Sequence, residues 1–319
     1  MIASVQPARV SLLIPAYNAA SFLPRLAQSV TSMHGSFARI ICYDDGSDDE
    51  TARVSESLGF DTIVATENRG AIYARNRLAE ESNTEFIHFH DADDLIHEDF
   101  LTFVEPKLVD TADVVSCDGD WLDDGSRTVC LRWRFSERDM ACNSLRTLLR
   151  TPLGLNQSTI RRSTFFDVGG FNADLPIWED ADLHIRIAAS GGRFSHVERV
   201  LTYSLRRPDT FSHDYRRSAI CRFGYLQRYL AADWASCVAD VLAEQFETVA
   251  LNLLAYREWA RAREALRLAR RNGRRAPVSR NPVVKLLRDA GLPTVAGYLV
   301  SRARIGSPPR MAARNVAGG

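Results

Sequence analysis

Asp91, Asp93 and Asp94 put three carboxylates within four residues. They follow Phe86, Ile87 and Phe89, an apolar run that reads as a β-strand ending at a surface. Carboxylates are costly to bury unpaired, so the cluster needs a counter-charge. A divalent cation with oxygen ligands supplies one compactly. Metal held at the carboxyl end of a strand commonly handles phosphate. A second acidic pair, Asp44 and Asp45, precedes Gly46 and Ser47 behind another apolar run. His88 and His90 flank the first cluster and read as core or supporting residues rather than ligands.

These residues need elements to hold them. The pattern predicts strands at 10–14, 38–43, 61–65 and 85–89, alternating with helices at 19–33, from Ser47 to about Leu58, and at 70–82. Ser47 stands at the N-cap of the second helix, with Glu50 three residues on as a capping box. Strand–helix alternation implies right-handed crossovers and a mostly parallel sheet. Ligands of such sheets bind outside the carboxyl ends of the strands. That edge carries residues 15–18 (Pro-Ala-Tyr-Asn), 44–47, 67–70 (Glu-Asn-Arg-Gly) and 91–94. The alternation loosens from about 95 to 200, where strands at 113–117 and 128–133 and a helix at 180–190 are predicted. After Tyr215 the chain reads as helical, with segments at 220–232, 236–256 and 259–272, broken by Gly273 and Pro277. From Gly306 the Pro/Gly/Ala/Arg-rich tail is expected to fray.

The composition, 45% hydrophobic and 25% charged over 319 residues, is that of a soluble globular chain. The formal charge of zero hides an asymmetry: residues 256–319 carry a balance of +12 and residues 1–255 one of −12. No run of about 18 apolar residues exists, so no transmembrane helix is expected. The apolar run 10–14 is too short for a signal-peptide core, and the cysteine usage is that expected of a cytoplasmic protein. Six cysteines without a Cys-x-x-Cys pair read as reduced thiols. No Gly-x-Gly-x-x-Gly follows the first strand, which disfavours a dinucleotide-binding enzyme.

Five segments in order resemble the family 2 glycosyltransferases: residues 14–18 (Ile-Pro-Ala-Tyr-Asn), 44–51 (Asp-Asp-Gly-Ser-Asp-Asp-Glu-Thr), 68–70 with 74–76 (Ala-Arg-Asn), 91–94, and 169–171 (Gly-Gly-Phe) followed by 178–180 (Trp-Glu-Asp). The resemblance covers about residues 8–205. It implies the GT-A fold, an α/β fold with a mostly parallel, Rossmann-like central sheet flanked by helices, and a helical C-terminal extension. The expected division is a catalytic domain at 1–215, with a nucleotide-sugar half at about 8–95 and an acceptor half at about 96–215. A basic, mostly helical extension occupies 216–319.

The resemblance assigns Pro15, Tyr17 and Asp45 to the nucleotide base, with a UDP-sugar favoured, and Arg75 to the base or diphosphate. Asp91 and Asp93 form the D-x-D pair that holds Mg2+ or Mn2+, with His213 a late third ligand. Asp180 is the expected catalytic base and Glu179 its rival; Glu179 and Asp182 alternatively hold Arg186, four residues beyond Asp182. Trp178, Gly169 and Gly170 face the acceptor. The implied activity is inverting transfer of a single sugar to a saccharide or lipid-linked acceptor in bacterial surface polysaccharide or glycan assembly. The family's processive members carry a Gln-x-x-Arg-Trp motif and membrane spans, and neither occurs here. Two rivals stay open: a catalytically silent sugar-nucleotide-binding or scaffold protein, and a metal-dependent nucleotidyltransferase. The arginine-rich stretch from Arg257 reads as a solvated packing helix or as a peripheral contact with anionic lipid on the inner face of the membrane. No motif supports nucleic-acid binding.

Overall fold

The computed structural model describes residues 9–207 and 214–273. His213, the arginines from Arg274 onward, Pro277 and the tail lie outside those residues. Of the described residues, 9–148, 152–174 and 179–207 form one compact unit, and 149–151, 175–178 and 214–273 form another.

The first unit is built on a nine-stranded sheet. Strand β1 (Val10–Ala16) has Val10, Leu12, Leu13 and Ile14 fully buried, so both its faces are covered. Such a strand reads as a continuous apolar run, as a central parallel strand does. It pairs in parallel with β2 (Arg39–Asp44) on one side and β4 (Phe86–Phe89) on the other. β3 (Asp61–Val64) extends the sheet beyond β2, also in parallel. Helices α1 (Leu23–Thr31), α2 (Thr51–Ser57) and α3 (Ala71–Glu81) make the crossovers. The chain winds outward from β1 to β3, then returns to β1's other side for β4. That reversal opens a crevice at the carboxyl ends of β1 and β4.

The rest of the sheet is mixed rather than mostly parallel. β8 (Ser158–Arg161) runs antiparallel between β4 and β6 (Val114–Asp123). β9 (Phe194–Arg206) is parallel to β6, and β5 (Leu95–Ile96) and β7 (Val129–Trp133) pair antiparallel to β9 and β6. Crossover helices cover β1–β4, whereas β6 and β7 form a hairpin that needs none. Helices α4 (Phe100–Val104), α5 (Glu137–Arg150), α6 (Arg162–Asp167) and α7 (Glu179–Ala189) complete this part of the chain.

Ser47 does not cap α2. The helix starts four residues later, and the Ser47 N–H and hydroxyl both donate to Asp44 Oδ1, at 3.0 and 2.5 Å. Asp49 braces the start instead, accepting from the Thr51 N–H at 3.0 Å. Gly46, at φ +72°, bends the chain where an added Cβ would meet the Glu67 carbonyl carbon at 2.7 Å, so the acidic turn packs against the 67–70 loop.

The second unit holds α8 (Tyr215–Tyr229), α9 (Ala239–Ala255) and α10 (Trp259–Arg271). Asp214 caps α8 by accepting from the Arg217 N–H at 2.9 Å. α9 buries Val241, Leu242, Phe246, Val249, Leu253 and Leu254; α10 buries Ala262, Ala265, Leu266 and Ala269 and exposes its arginines. Among the described residues no helix is long and apolar enough to cross a membrane.

Candidate active site

The loops at the carboxyl edge are tied to each other by side chains. Asn18, in the left-handed region at φ +49°, accepts from the Asp48 N–H at 2.9 Å, while its own N–H donates to Ser47 Oγ at 2.8 Å. Asp45 is buried, and its two oxygens accept from the Arg69 and Gly70 N–H groups at 3.0 and 2.7 Å. It thus clamps the end of β2 to the start of α3. Each oxygen keeps a second lone pair for a further donor. Pro15 lies in β1 opposite Tyr43, and Tyr17, just beyond it, is 48% exposed. Tyr43 meets Tyr73 edge-on, and the Arg69 guanidinium lies 3.7 Å from the Tyr73 ring centroid.

Arg75 joins the two acidic groups. It sits on the inner face of α3 beside Ala74, Leu78 and Ala79, only 7% exposed. One guanidinium nitrogen donates to Asp91 Oδ1 at 2.7 Å and another to Glu179 Oε1 at 2.6 Å. Burial opposes its charge, but the Asp91 and Glu179 carboxylates more than offset this and hold the guanidinium above its ordinary range. Its Nε–H is buried with no partner among the described residues. The end of β4 and the start of α7 are therefore brought together through one arginine.

Asp180 follows Glu179 in the first turn of α7. Its Oδ1 accepts from the Ala181 N–H at 2.7 Å. Burial, then repulsion from Glu179, pushes its carboxyl up to about 7, although Arg75 pulls the other way. The exposed N–H groups of a helix start favour acidic residues, which is why Glu179, Asp180 and Asp182 are tolerated in one turn. Trp178, immediately before, has φ +74°, a costly conformation for a bulky residue. Its indole is 9% exposed and its Nε1–H donates to the Ser218 carbonyl at 2.9 Å, with the Arg222 guanidinium 5.1 Å from the ring. Most of its surface is occupied by these protein neighbours.

Asp91 keeps a side chain 45% exposed, and Asp93 one 28% exposed. Asp94 points inward: its oxygens accept from Asn156 Nδ2 at 3.0 Å, Ser204 Oγ at 2.9 Å and the Leu205 N–H at 2.9 Å. It pins the acidic turn to β9. Burial, then repulsion from the neighbouring aspartates, raises Asp93 and, more strongly, Asp94 above the usual carboxylate range. Asp93 Oδ2 accepts from Arg207 at 2.5 Å. Among the described residues no group of three or more His, Cys, Asp or Glu is placed to hold a metal ion. His213 lies outside them.

Gly169 and Gly170 take φ of +84° and +65°. Arg186 holds this turn by donating to the Val168 and Gly170 carbonyls at 2.5 and 2.7 Å, and it pairs with Asp182 at 2.7 Å, one helical turn back. Asn76 completes the brace, exchanging bonds of 2.9 and 3.1 Å with the Phe171 backbone. A Cβ on Gly170 would approach Asn76 Oδ1 to 2.8 Å. His88 and His90 are buried; His88 bonds the Ser158 carbonyl at 3.0 Å and His90 Nδ1 at 3.3 Å, and packs 4.5 Å from Phe100.

Three participants carried no signal in the sequence. Arg207 reaches Asp93 from 114 residues away. Arg25 donates to the Asp93 carbonyl at 3.3 Å and to Asp124 Oδ1 at 2.7 Å. Asp124 lines an open cleft of about 470 Å³ with Asp123, Gly125, Arg206 and Arg207. None belongs to a local motif; their meeting depends on how β9 and the β6–β7 hairpin are registered.

Comparison with known proteins gives the family and the fold. The family described as Glycosyl transferase family 2 matches residues 11–173, more than half of the chain. The succinoglycan biosynthesis protein ExoU of Rhizobium meliloti (strain 1021) is 27% identical over 246 residues, 71% of this chain and 70% of that protein. An uncharacterized glycosyltransferase, YibD of Escherichia coli (strain K12), is 30% identical over 118 residues, so the match spans about a third of each protein. Among solved structures, S. aureus TarS in complex with UDP-GlcNAc superposes with a TM-score of 0.65 at 18% identity, covering 93% of this chain and 91% of that one. The Pyrobaculum calidifontis mannosyltransferase PcManGT, in complex with GDP-Man and Mn2+, gives a TM-score of 0.59 at 18% identity, with 94% and 89% covered. A curled mixed sheet with its acidic turn at the β4 end, the match across residues 11–173 and these structural likenesses converge: the fold is GT-A, and the chain belongs to glycosyl transferase family 2.

Proposed function

We propose that this glycosyltransferase moves one sugar from a nucleoside-diphosphate sugar to a saccharide or lipid-linked hydroxyl, with inversion and with a divalent cation. The observation that carries the reading is the Arg75 bridge, which joins Asp91 at the end of β4 to Glu179 beside Asp180. A donor's diphosphate and an acceptor's hydroxyl need those two groups within one small space.

The acidic turn suits a hard cation. Asp91 and Asp93 are oxygen donors two residues apart, each with one oxygen engaged by an arginine and each partly exposed. Two carboxylates are the usual protein share of a Mg2+ or Mn2+ site that substrate phosphates complete. When bound there, the ion would neutralise the charge gathering on the departing diphosphate. The complexes of TarS with UDP-GlcNAc and of PcManGT with GDP-Man and Mn2+ support a nucleotide sugar of this class as donor. Tyr17, Pro15 and the remaining lone pairs of Asp45 would take the base.

Asp180 would remove the proton from the acceptor hydroxyl as that oxygen bonds the anomeric carbon. The bond from that carbon to the phosphate oxygen breaks, and its electron pair leaves with the diphosphate. Attack from the face opposite the diphosphate inverts the centre, through a cationic sugar-like transition state. Asp180 is the better base than Glu179, because Glu179 is held by Arg75 whereas the carboxyl of Asp180 is raised toward neutrality. Gly169 and Gly170 would let the backbone approach the acceptor.

The similarity to ExoU supports polysaccharide assembly as the setting. Peripheral association with anionic membrane rests on the exposed Trp259, Arg263, Arg267 and Arg270 of α10, spaced to share one face. Arg263→Glu with Arg270→Glu should reduce sedimentation with anionic vesicles; unchanged sedimentation would remove that part. The central test is a thermal-shift panel of nucleotide sugars with Mn2+, on wild type and Asp93→Asn. One nucleotide class should stabilise the wild type only when Mn2+ is present, and Asp93→Asn should lose the effect. Equal stabilisation of both proteins would remove Asp93 from the metal.

A further inference from the structure

Arg207 directly follows β9. Its guanidinium lies between two carboxylates. One nitrogen donates to Asp93 Oδ2 at 2.5 Å, and the other is 3.8 Å from Asp124 Oδ2. The Phe22 ring supports it, with the guanidinium carbon 4.3 Å from the centroid. Arg25 fixes the geometry from below by bonding Asp124 Oδ1 and the Asp93 carbonyl. The side chain is four-fifths covered, yet it borders the cleft lined by Asp123, Asp124, Gly125 and Arg206.

We infer that Arg207 is an exchangeable counter-ion of Asp93, which a divalent cation must displace and which Asp124 then receives. This rests on the reading of Asp93 as a metal ligand. The argument is electrostatic. Asp91, Asp93 and Asp94 crowd three carboxylates into one turn. Asp94 is satisfied by neutral donors and Asp91 by Arg75, so the positive charge on Asp93 comes from Arg207. A doubly charged ion on Asp93 would stand within a few ångströms of the guanidinium, and like charges that close in a partly buried site repel strongly. Arg207 would not have to cross solvent to escape. Its second nitrogen is already 3.8 Å from Asp124 Oδ2, so a small shift over the Phe22 face passes it to that carboxylate, beside the site. The site is thus neutralised by the chain itself before the ion arrives, which spares the acidic turn its self-repulsion and sets a threshold for occupancy by metal.

The test is Mn2+ binding to the full-length, donor-free protein, followed by the electron paramagnetic resonance of free Mn2+. Arg207→Gln should bind Mn2+ about three- to fivefold more tightly than wild type, the size expected for releasing one partly exposed ion pair. Arg207→Lys, which keeps the charge, should stay close to wild type. Arg206→Gln is the charge-matched control: this neighbour packs on Trp121 at 4.3 Å and should change the affinity less than twofold. Unchanged or weaker binding in Arg207→Gln would overturn the inference, as would equal tightening in Arg206→Gln, which would reduce the effect to net charge. Mn2+ binding that survives Asp93→Asn would instead strike at the metal reading beneath it. Far-ultraviolet circular dichroism and melting temperatures on each variant separate these outcomes from misfolding.

Discussion

Two polar clusters in the first unit use the residue types of catalysis, and only one is open. In the interior, Ser116 Oγ lies 2.9 Å from His196 Nδ1, and His196 Nε2 lies 3.1 Å from Asp118 Oδ1. That is the connectivity of a Ser-His-Asp triad. Yet Ser116 and His196 are fully buried, Asp118 also accepts from the Phe135 N–H, and the Phe135 ring packs 5.7 Å from the imidazole. Every member is satisfied and no substrate can reach it. The Arg75 cluster is the opposite case. Its carboxylates repel each other, Asp180 is pushed up to about 7, an arginine N–H has no partner among the described residues, and Asp91 faces solvent. Residue type and spacing nominate a site, but exposure and an unbalanced charge distinguish it from a sealed polar network of the core.

The largest expected effect comes from Asp180→Asn, which should lower transfer about a thousandfold and leave donor affinity intact, read as product formation beside nucleotide binding. Removing a like charge next to Glu179 should also raise the melting temperature, by about 2–4 °C per kcal/mol relieved. Wild-type turnover in this variant would move the base elsewhere. Next is Arg75→Gln. It strands Asp91 and Glu179 without their shared cation and should cost about 2–3 kcal/mol in urea unfolding, discounted because both carboxylates retain some solvent. An unchanged midpoint would mean that the bridge holds nothing.

The pH dependence sharpens the contrast. A base must be deprotonated, so kcat/KM should rise with pH and level off above about 7, falling about tenfold for each unit below. The limb should be missing from the residual activity of Asp180→Asn, and a profile flat from pH 5 to 8 would refute the assignment. The smallest effect belongs to the sealed cluster. Ser116→Ala leaves a buried imidazole nitrogen short of a partner and should cost about 1–2 kcal/mol of stability. Turnover should stay within about twofold of wild type; a large loss would erase the difference between the clusters.

Much of the first half was legible because its signals are local. The apolar run behind Val10 and the helix from Gly70 each need only neighbouring residues to be recognised, and the structure has β1 and α3 there. Boundaries slipped where side chains compete with the backbone, as at Ser47, which bonds Asp44 in place of the α2 terminus. β8 and β9 were not foreseen. β8 is only four residues long, and β9 alternates irregularly because its register shifts twice against β6.

The same divide runs through the site. Sequence alone was enough to specify which groups stand at the strand ends, since alternating strands and helices bring every such turn to one edge and the acidic residues follow the apolar runs directly. Tertiary structure decided which of them work together. Arg75 bonding both Asp91 and Glu179, Asp94 turned inward to Ser204, Trp178 enclosed beside Ser218 and Arg207 resting on Asp93 all depend on pairings between distant segments. A local pattern carries no information about such distances, and the charge on a carboxylate is set by what lies within a few ångströms of it in space.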